Sequence, residues 1–314
     1  MSSAGKVAFL FPGQGSQAAG MGKDAAESYD EARRVFEVAD EALGFSLSTL
    51  CFEGPEEELK LTQNTQPAIL ATSIALYEVL HASGAKADYV AGHSLGEYSA
   101  LVAAGALELR DAVLVVRNRG RYMQEAVPVG VGAMAALIGL SVDEVEGVCR
   151  DAAEGEVVEP ANLNGGRQVV IAGNQAAVSR ACELAKQRGA RRALLLAVSA
   201  PFHCRLMAPA AERLKPDLDA TSFSALRVPL FTNVDAKPIE RGEDARQALV
   251  RQVASPVRWE EIIQAMASAG VRRFVEIGPG KVLAGLVRKI VPDVETFSVS
   301  SPDGIQQLVE ASVV

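Results

Sequence analysis

Residues 88–107 read DYVAGHSLGEYSALVAAGAL, and the order of residue types in this stretch decides the fold. Asp88 to Ala91 is a short apolar run that predicts a strand. Gly92-His93-Ser94-Leu95-Gly96 follows as a tight turn, and the small residues after it predict a helix. Strand, turn and helix in that order begin an α/β architecture. The turn matches GxSxG, a pattern that also recurs by chance, so its context carries the argument. Between a strand and a helix it forms a sharp elbow that exposes the serine hydroxyl. The glycines leave room for the strained turn and for an incoming acyl group. Ser94 is therefore the candidate nucleophile. The N–H of Leu95, at the start of the helix, is a candidate donor to an oxyanion.

The same rhythm holds on both sides of the elbow. Lys6 to Phe11 (KVAFLF) predicts a buried strand running into the loop PGQGSQ. Gln66 to Leu80 predicts a core helix with Pro67 near its start. Leu230 to Asn233 and Arg273 to Ile277 predict two more strands, with Pro229 just before the first. Between these parts the pattern changes. Gly132 to Leu140 is a predicted strand, followed by a helix over Ser141 to Asp151 capped by Ser141 with Glu144. Val157 to Asn162 and Gln168 to Ala172 are strands about Asn164-Gly165-Gly166; a helix over Gln175 to Arg188 and a strand over Ala193 to Val198 complete the series. This is the order of a ferredoxin-like unit, so a small subdomain is expected at 128–198, inserted into a larger one made of 1–127 and 199–314.

A serine nucleophile needs a base, and the 314 residues contain three histidines. His93 adjoins Ser94, where side chains diverge on a tight turn, so it is read as an orienting residue. His81 ends an amphipathic helix, a common place for a favourable end charge. His203, in VSAPFHC after a strand and a proline, remains as the base.

Composition narrows the class. Half the chain is hydrophobic (49%) and 22% is charged, enough apolar residues for a substantial core. The net charge of −8 argues against a general nucleic-acid binder. Cys51, Cys149, Cys182 and Cys204 show no CxxC or metal-ligand spacing, so buried free thiols and no metal are expected. With neither a signal-like start nor a long uncharged apolar run, a cytoplasmic protein with no membrane contact is expected.

Several further stretches carry a resemblance. GQGSQ at 13–17, NTQPAI at 64–69, GHSLGEYSALVAAGAL at 92–107, RGRYMQEAVP at 119–128, SAPFH at 199–203 and EIGPG at 276–280 resemble, in order along nearly the whole chain, the malonyl-CoA:acyl-carrier-protein transacylases. The resemblance implies an α/β-hydrolase-like large subdomain with a ferredoxin-like insertion. It implies a Ser94–His203 dyad working by a ping-pong reaction, with Gln14 joining Leu95 in the oxyanion hole and a backbone carbonyl at Gln252 orienting the histidine. Arg119 falls at the position that binds the malonyl carboxylate, although Arg117 and Arg121 flank it and the sequence does not choose among them. Phe202 implies malonyl over methylmalonyl, and Asn162 and Asn164 match asparagines lining the cleft. The implied partners are malonyl-CoA as substrate and an acyl carrier protein as acceptor, with no cofactor and a monomeric enzyme. Because carrier proteins are acidic, Lys186, Arg188, Arg191 and Arg192, or Arg288 and Lys289, are candidate docking charges.

The sequence bears on two other readings. A GxSxG thioester hydrolase would carry an HGG-type motif and a late histidine, and the chain has neither. A silent docking component of a larger synthase would not need Ser94, His203, Gln14 and Arg119 together. Fatty acid synthesis, trans-acting polyketide loading and malonate decarboxylation all use enzymes of this shape and stay open.

Overall fold

The apolar run Lys6–Phe11 becomes a strand with five of its six residues buried, as expected of a strand covered on both faces. The computed structural model describes residues 5–310. Within them the chain lays down β1 (Lys6–Phe11), β2 (Tyr89–Gly92), β3 (Gly132–Ile138), β4 (Val158–Leu163) and β5 (Gln168–Asn174). It continues with β6 (Arg192–Leu195), β7 (Leu230–Phe231), β8 (Pro238–Ile239), β9 (Val271–Ile277) and β10 (Glu295–Val299).

The larger sheet has the order β10-β9-β1-β2-β7-β8. Every pairing in it is parallel except the antiparallel edge strand β8. Side chains of β1 alternate between two apolar cores. Phe9 and Phe11 face the helix Thr62–Ala82, whereas Ala8 and Leu10 join Trp259, Ile262 and Phe274 on the other face. Phe11 is the register partner of Gly92, so the loops after β1 and β2 leave the sheet side by side at its carboxyl edge. That edge is where parallel sheets place their ligands.

The smaller sheet has the order β4-β5-β3-β6 and is antiparallel throughout. The helices Val142–Ala152 and Gln175–Gln187 follow β3 and β5, which makes it ferredoxin-like. Both helices pack on one face with Val145, Val148, Val178 and Ala181. Met134, Ala136, Val170 and Ala172, from the other face, join the core of the larger body. Ser141 and Glu144 form the expected capping box.

Two local expectations change. The helix around Pro67 begins at Thr62, so the proline lies inside it rather than at its first turn. The last strand of the insertion ends at Leu195 rather than Val198: Leu196 still bonds Met134, and the chain then turns with Val198 bonding Leu196. Arg119 sits on a largely buried face of the helix Leu109–Glu125. All four cysteines are free and buried, and burial pushes the thiols of Cys51, Cys149 and Cys204 up to about 12, which leaves them inert. Among the described residues, no helix is long and apolar enough to cross a membrane.

Candidate active site

The elbow is built by steric exclusion. A Cβ on Gly92 would stand 1.9 Å from the Gly96 carbonyl, and one on Gly96 would stand 2.0 Å from the Phe11 carbonyl oxygen. Only glycines let the helix Gly96–Ala103 start this close to the ends of β1 and β2. Between them Ser94 adopts a φ of 53°, in the left-handed region. His203 does the same at 60°. A non-glycine residue held there costs roughly 1–3 kcal/mol, and such strain collects at functional sites.

The two strained residues meet. Ser94 Oγ lies 2.6 Å from His203 Nε2, and His203 Nδ1 lies 3.0 Å from the backbone oxygen of Gln252. A carbonyl oxygen only accepts, so the ring proton belongs on Nδ1 and Nε2 is left to accept from the serine hydroxyl. Burial, together with the charge of Arg119, holds the His203 pKa down at about 3. The imidazole is therefore neutral at physiological pH, as a general base must be.

Of the three candidate arginines, the geometry separates Arg119. It is 1% exposed. Its Nη1 donates to Gln66 Oε1 at 2.8 Å, and its Nη2 donates to Gln252 Oε1 at 2.8 Å and to Ser94 Oγ at 3.2 Å. These bonds engage three of the five N–H donors of a guanidinium, which leaves donors for a carboxylate. Arg117 stacks over Phe45 and Arg121 bonds Asn118.

Ser94, Arg119 and His203 line one cavity of about 780 Å³, together with Gln14, Leu95 and Phe202. Asn162 and Leu196 reach the same cavity from the insertion. Asn162 Oδ1 is buried with no hydrogen-bond partner among the described residues. Gln14 lies in a loop braced by itself, with Gly15 N–H donating to Gln17 Oε1 and Ser16 Oγ–H to the Gly13 carbonyl. Leu95 stands at the N-terminus of the helix Gly96–Ala103, where backbone donors lack intrahelical acceptors. His93 turns away from Ser94, and its Nε2 meets Asn164 Oδ1 at 2.9 Å. Asn164 thus braces the elbow besides turning the chain. His81 stacks on Tyr77 outside the cavity lining.

Three polar residues in this network escape a reading of the sequence. Asn233, just beyond β7, accepts the Ser94 N–H at 2.7 Å and donates to the Gly92 carbonyl at 2.7 Å, clamping the elbow. Gln66 steadies Arg119. Glu97 is 1% exposed; its Oε2 accepts from Gln252 Nε2 at 2.6 Å and from Asn233 N–H at 3.2 Å. Only the glutamate left a signal, a charge directly after GxSxG in a helix of small and apolar residues. Among the described residues, no cluster of three or more His, Cys, Asp or Glu side chains is arranged to hold a metal.

The chain as a whole is similar to known proteins. A family model of the acyl transferase domain matches residues 8–301. The malonyl CoA-acyl carrier protein transacylase of Bacillus subtilis (strain 168) is 51% identical over 306 residues, covering 97% of this chain and 96% of its own. The solved acyl-carrier-protein S-malonyltransferase of Bartonella henselae has a TM-score of 0.96 at 47% identity, covering 98% of this chain and 100% of its own. A malonyl-transacylase solved in complex with its type II polyketide synthase acyl-carrier protein has a TM-score of 0.95 at 45% identity, over 98% and 99% of the two chains.

Proposed function

The chain belongs to the acyl transferase family, and from that premise we propose that it moves a malonyl group from coenzyme A to the phosphopantetheine thiol of an acyl carrier protein through a malonyl ester on Ser94. His203 Nε2 takes the hydroxyl proton as Ser94 Oγ attacks the thioester carbonyl. The N–H groups of Leu95 and Gln14 receive the oxyanion. As the tetrahedral intermediate collapses, the C–S bond breaks and the imidazolium returns its proton to the departing coenzyme A sulfur. That return is favoured because burial and Arg119 both oppose a charge on His203. The carrier thiol then enters by the reverse sequence: it loses its proton to His203, attacks the ester, and Ser94 is restored. The Gln252 carbonyl keeps the base in one tautomer throughout.

The observation that carries this reading is a buried guanidinium 3.2 Å from the nucleophile, in the same cavity. A simple acyl ester offers it nothing, whereas a malonyl carboxylate gives it a charged, two-oxygen partner. Phe202 closes the pocket against a branched acyl group, and Asn162 offers its unpartnered oxygen to an N–H of the pantetheine arm. Residues 1–127 and 199–314 form the catalytic subdomain, and 128–198 the insertion. The thioester supplies its own activation, so no cofactor takes part. The enzyme works as a cytoplasmic monomer, with a carrier protein of fatty acid or polyketide synthesis. For docking, the favoured charges exclude Lys186 and Arg188, which are tied to Glu183 and Asp151.

A partition experiment tests the transfer. Malonyl-enzyme mixed with a pantetheine thiol in water is expected to release malonyl thioester far faster than free malonate. Equal or greater release of malonate would make the protein a hydrolase.

A further inference from the structure

Among the described residues, Glu97 is the one buried acid in contact with both the elbow and the residues that orient Arg119 and His203, and the mechanism above does not use it. It lies too deep to meet substrate, being absent from the cavity lining. Its influence passes through Gln252. The amide nitrogen of Gln252 faces two oxygens, the Ser94 carbonyl at 3.0 Å and Glu97 Oε2 at 2.6 Å. Its amide oxygen faces Arg119 Nη2 at 2.8 Å. A guanidinium has no acceptor, so a flipped amide would set N–H against N–H at Arg119 and oxygen against oxygen at the Ser94 carbonyl and Glu97.

We propose that Glu97 is a positioning residue for acyl selectivity: as a fixed acceptor it locks the Gln252 amide with its oxygen toward Arg119, and so aims the guanidinium that binds the acyl carboxylate. The inference rests on the reading of Arg119 as that anchor. Both groups that contact Oε2 are donors, the Gln252 amide and the Asn233 N–H, so this oxygen accepts whichever protonation state the carboxyl adopts. Position therefore counts for more than charge. This matters because burial raises the Glu97 pKa to about 7, where charge alone would be an unsteady device. His203 is held differently, through the backbone oxygen of Gln252, which an amide flip leaves in place. Glu97 thus serves the anchor more than the base.

The test is steady-state acyl transfer from malonyl-CoA and, separately, from acetyl-CoA, by the unmodified enzyme and by Glu97→Met, Glu97→Gln and Arg119→Ala. Glu97→Met removes the acceptor at similar volume and is expected to raise the malonyl-CoA KM about tenfold or more, leaving the acetyl-CoA KM within about threefold. Glu97→Gln keeps an oxygen at the same place and is expected to return the malonyl-CoA KM to within about threefold of the unmodified value. Equal losses with both substrates, no loss with either, or failure of the glutamine variant to restore binding would overturn the inference. If Glu97→Met does not fold, Glu97→Asp decides in its place. Its acceptor is drawn back by one methylene, so a malonyl-specific rise in KM supports the inference and an equal shift for both substrates overturns it. Arg119→Ala separates the two levels of the argument. If it keeps its malonyl preference, the anchor reading falls and this inference with it; if it loses that preference while Glu97→Met retains it, the inference alone falls.

Discussion

The elbow and the insertion contribute to one cavity in opposite ways. Around Ser94 nearly every degree of freedom is removed: two glycines are in contact with backbone, the serine φ is strained, and Asn233, Gln252 and Glu97 are hydrogen-bonded about it. The insertion supplies Met134, Asn162, Val170 and Leu196 to the wall, and its edge strand β6 leaves Leu194 and Leu195 exposed. Chemistry sits where the backbone is over-determined. The wall that receives the substrate is held mainly by apolar packing.

Substitutions sharpen this contrast in a graded series. Ser94→Ala should abolish malonyl transfer, by on the order of 10⁴-fold or more, with the fold intact by circular dichroism. Gly96→Ala should come next, because its Cβ would meet the Phe11 carbonyl at 2.0 Å and the elbow must move. A displacement of the nucleophile by about 1 Å can cost about 100-fold, read as the rate of Ser94 acylation. Arg119→Ala should lower kcat/KM for malonyl-CoA by about 10- to 100-fold while acetyl loading rises, since it removes charge-assisted hydrogen bonds. The same variant should alter the pH profile. The His203 pKa is lowered to about 3, so the neutral base persists as pH falls through 5, and the acylation rate should show no acid limb from this group above about pH 4. Without Arg119 one of the depressing influences is gone, and the acid limb should move to higher pH in a rapid-quench profile. At the far end, Leu195→Ser on the exposed edge of β6 should leave transfer within about threefold. A large loss there would show that the insertion does more than line the cavity.

How far the sequence could be read follows the same division. The elbow was legible because its constraint is local: strand, glycine, serine, glycine and helix lie within 20 residues. His203 was reachable by elimination, since only three histidines exist. The insertion was legible from element order, although its last strand proved shorter because the chain leaves β3 to line the cavity. Asn233 and Gln66 were not legible. Their meaning lies in bonds across 139 and 53 residues of sequence, and nothing in FTN or TQP marks them as different from ordinary turn or helix polar residues. Arg119 was placed by resemblance; its burial, which separates it from Arg117 and Arg121, needed the fold.

The most direct test is to incubate the enzyme with malonyl-, methylmalonyl-, acetyl- and succinyl-CoA and weigh the peptide that contains Ser94. A malonyl adduct on Ser94, little acetyl or methylmalonyl, and release of the adduct when a carrier-protein thiol is added are expected. Equal loading of acetyl and malonyl groups, or a malonyl adduct on any residue other than Ser94, would contradict it.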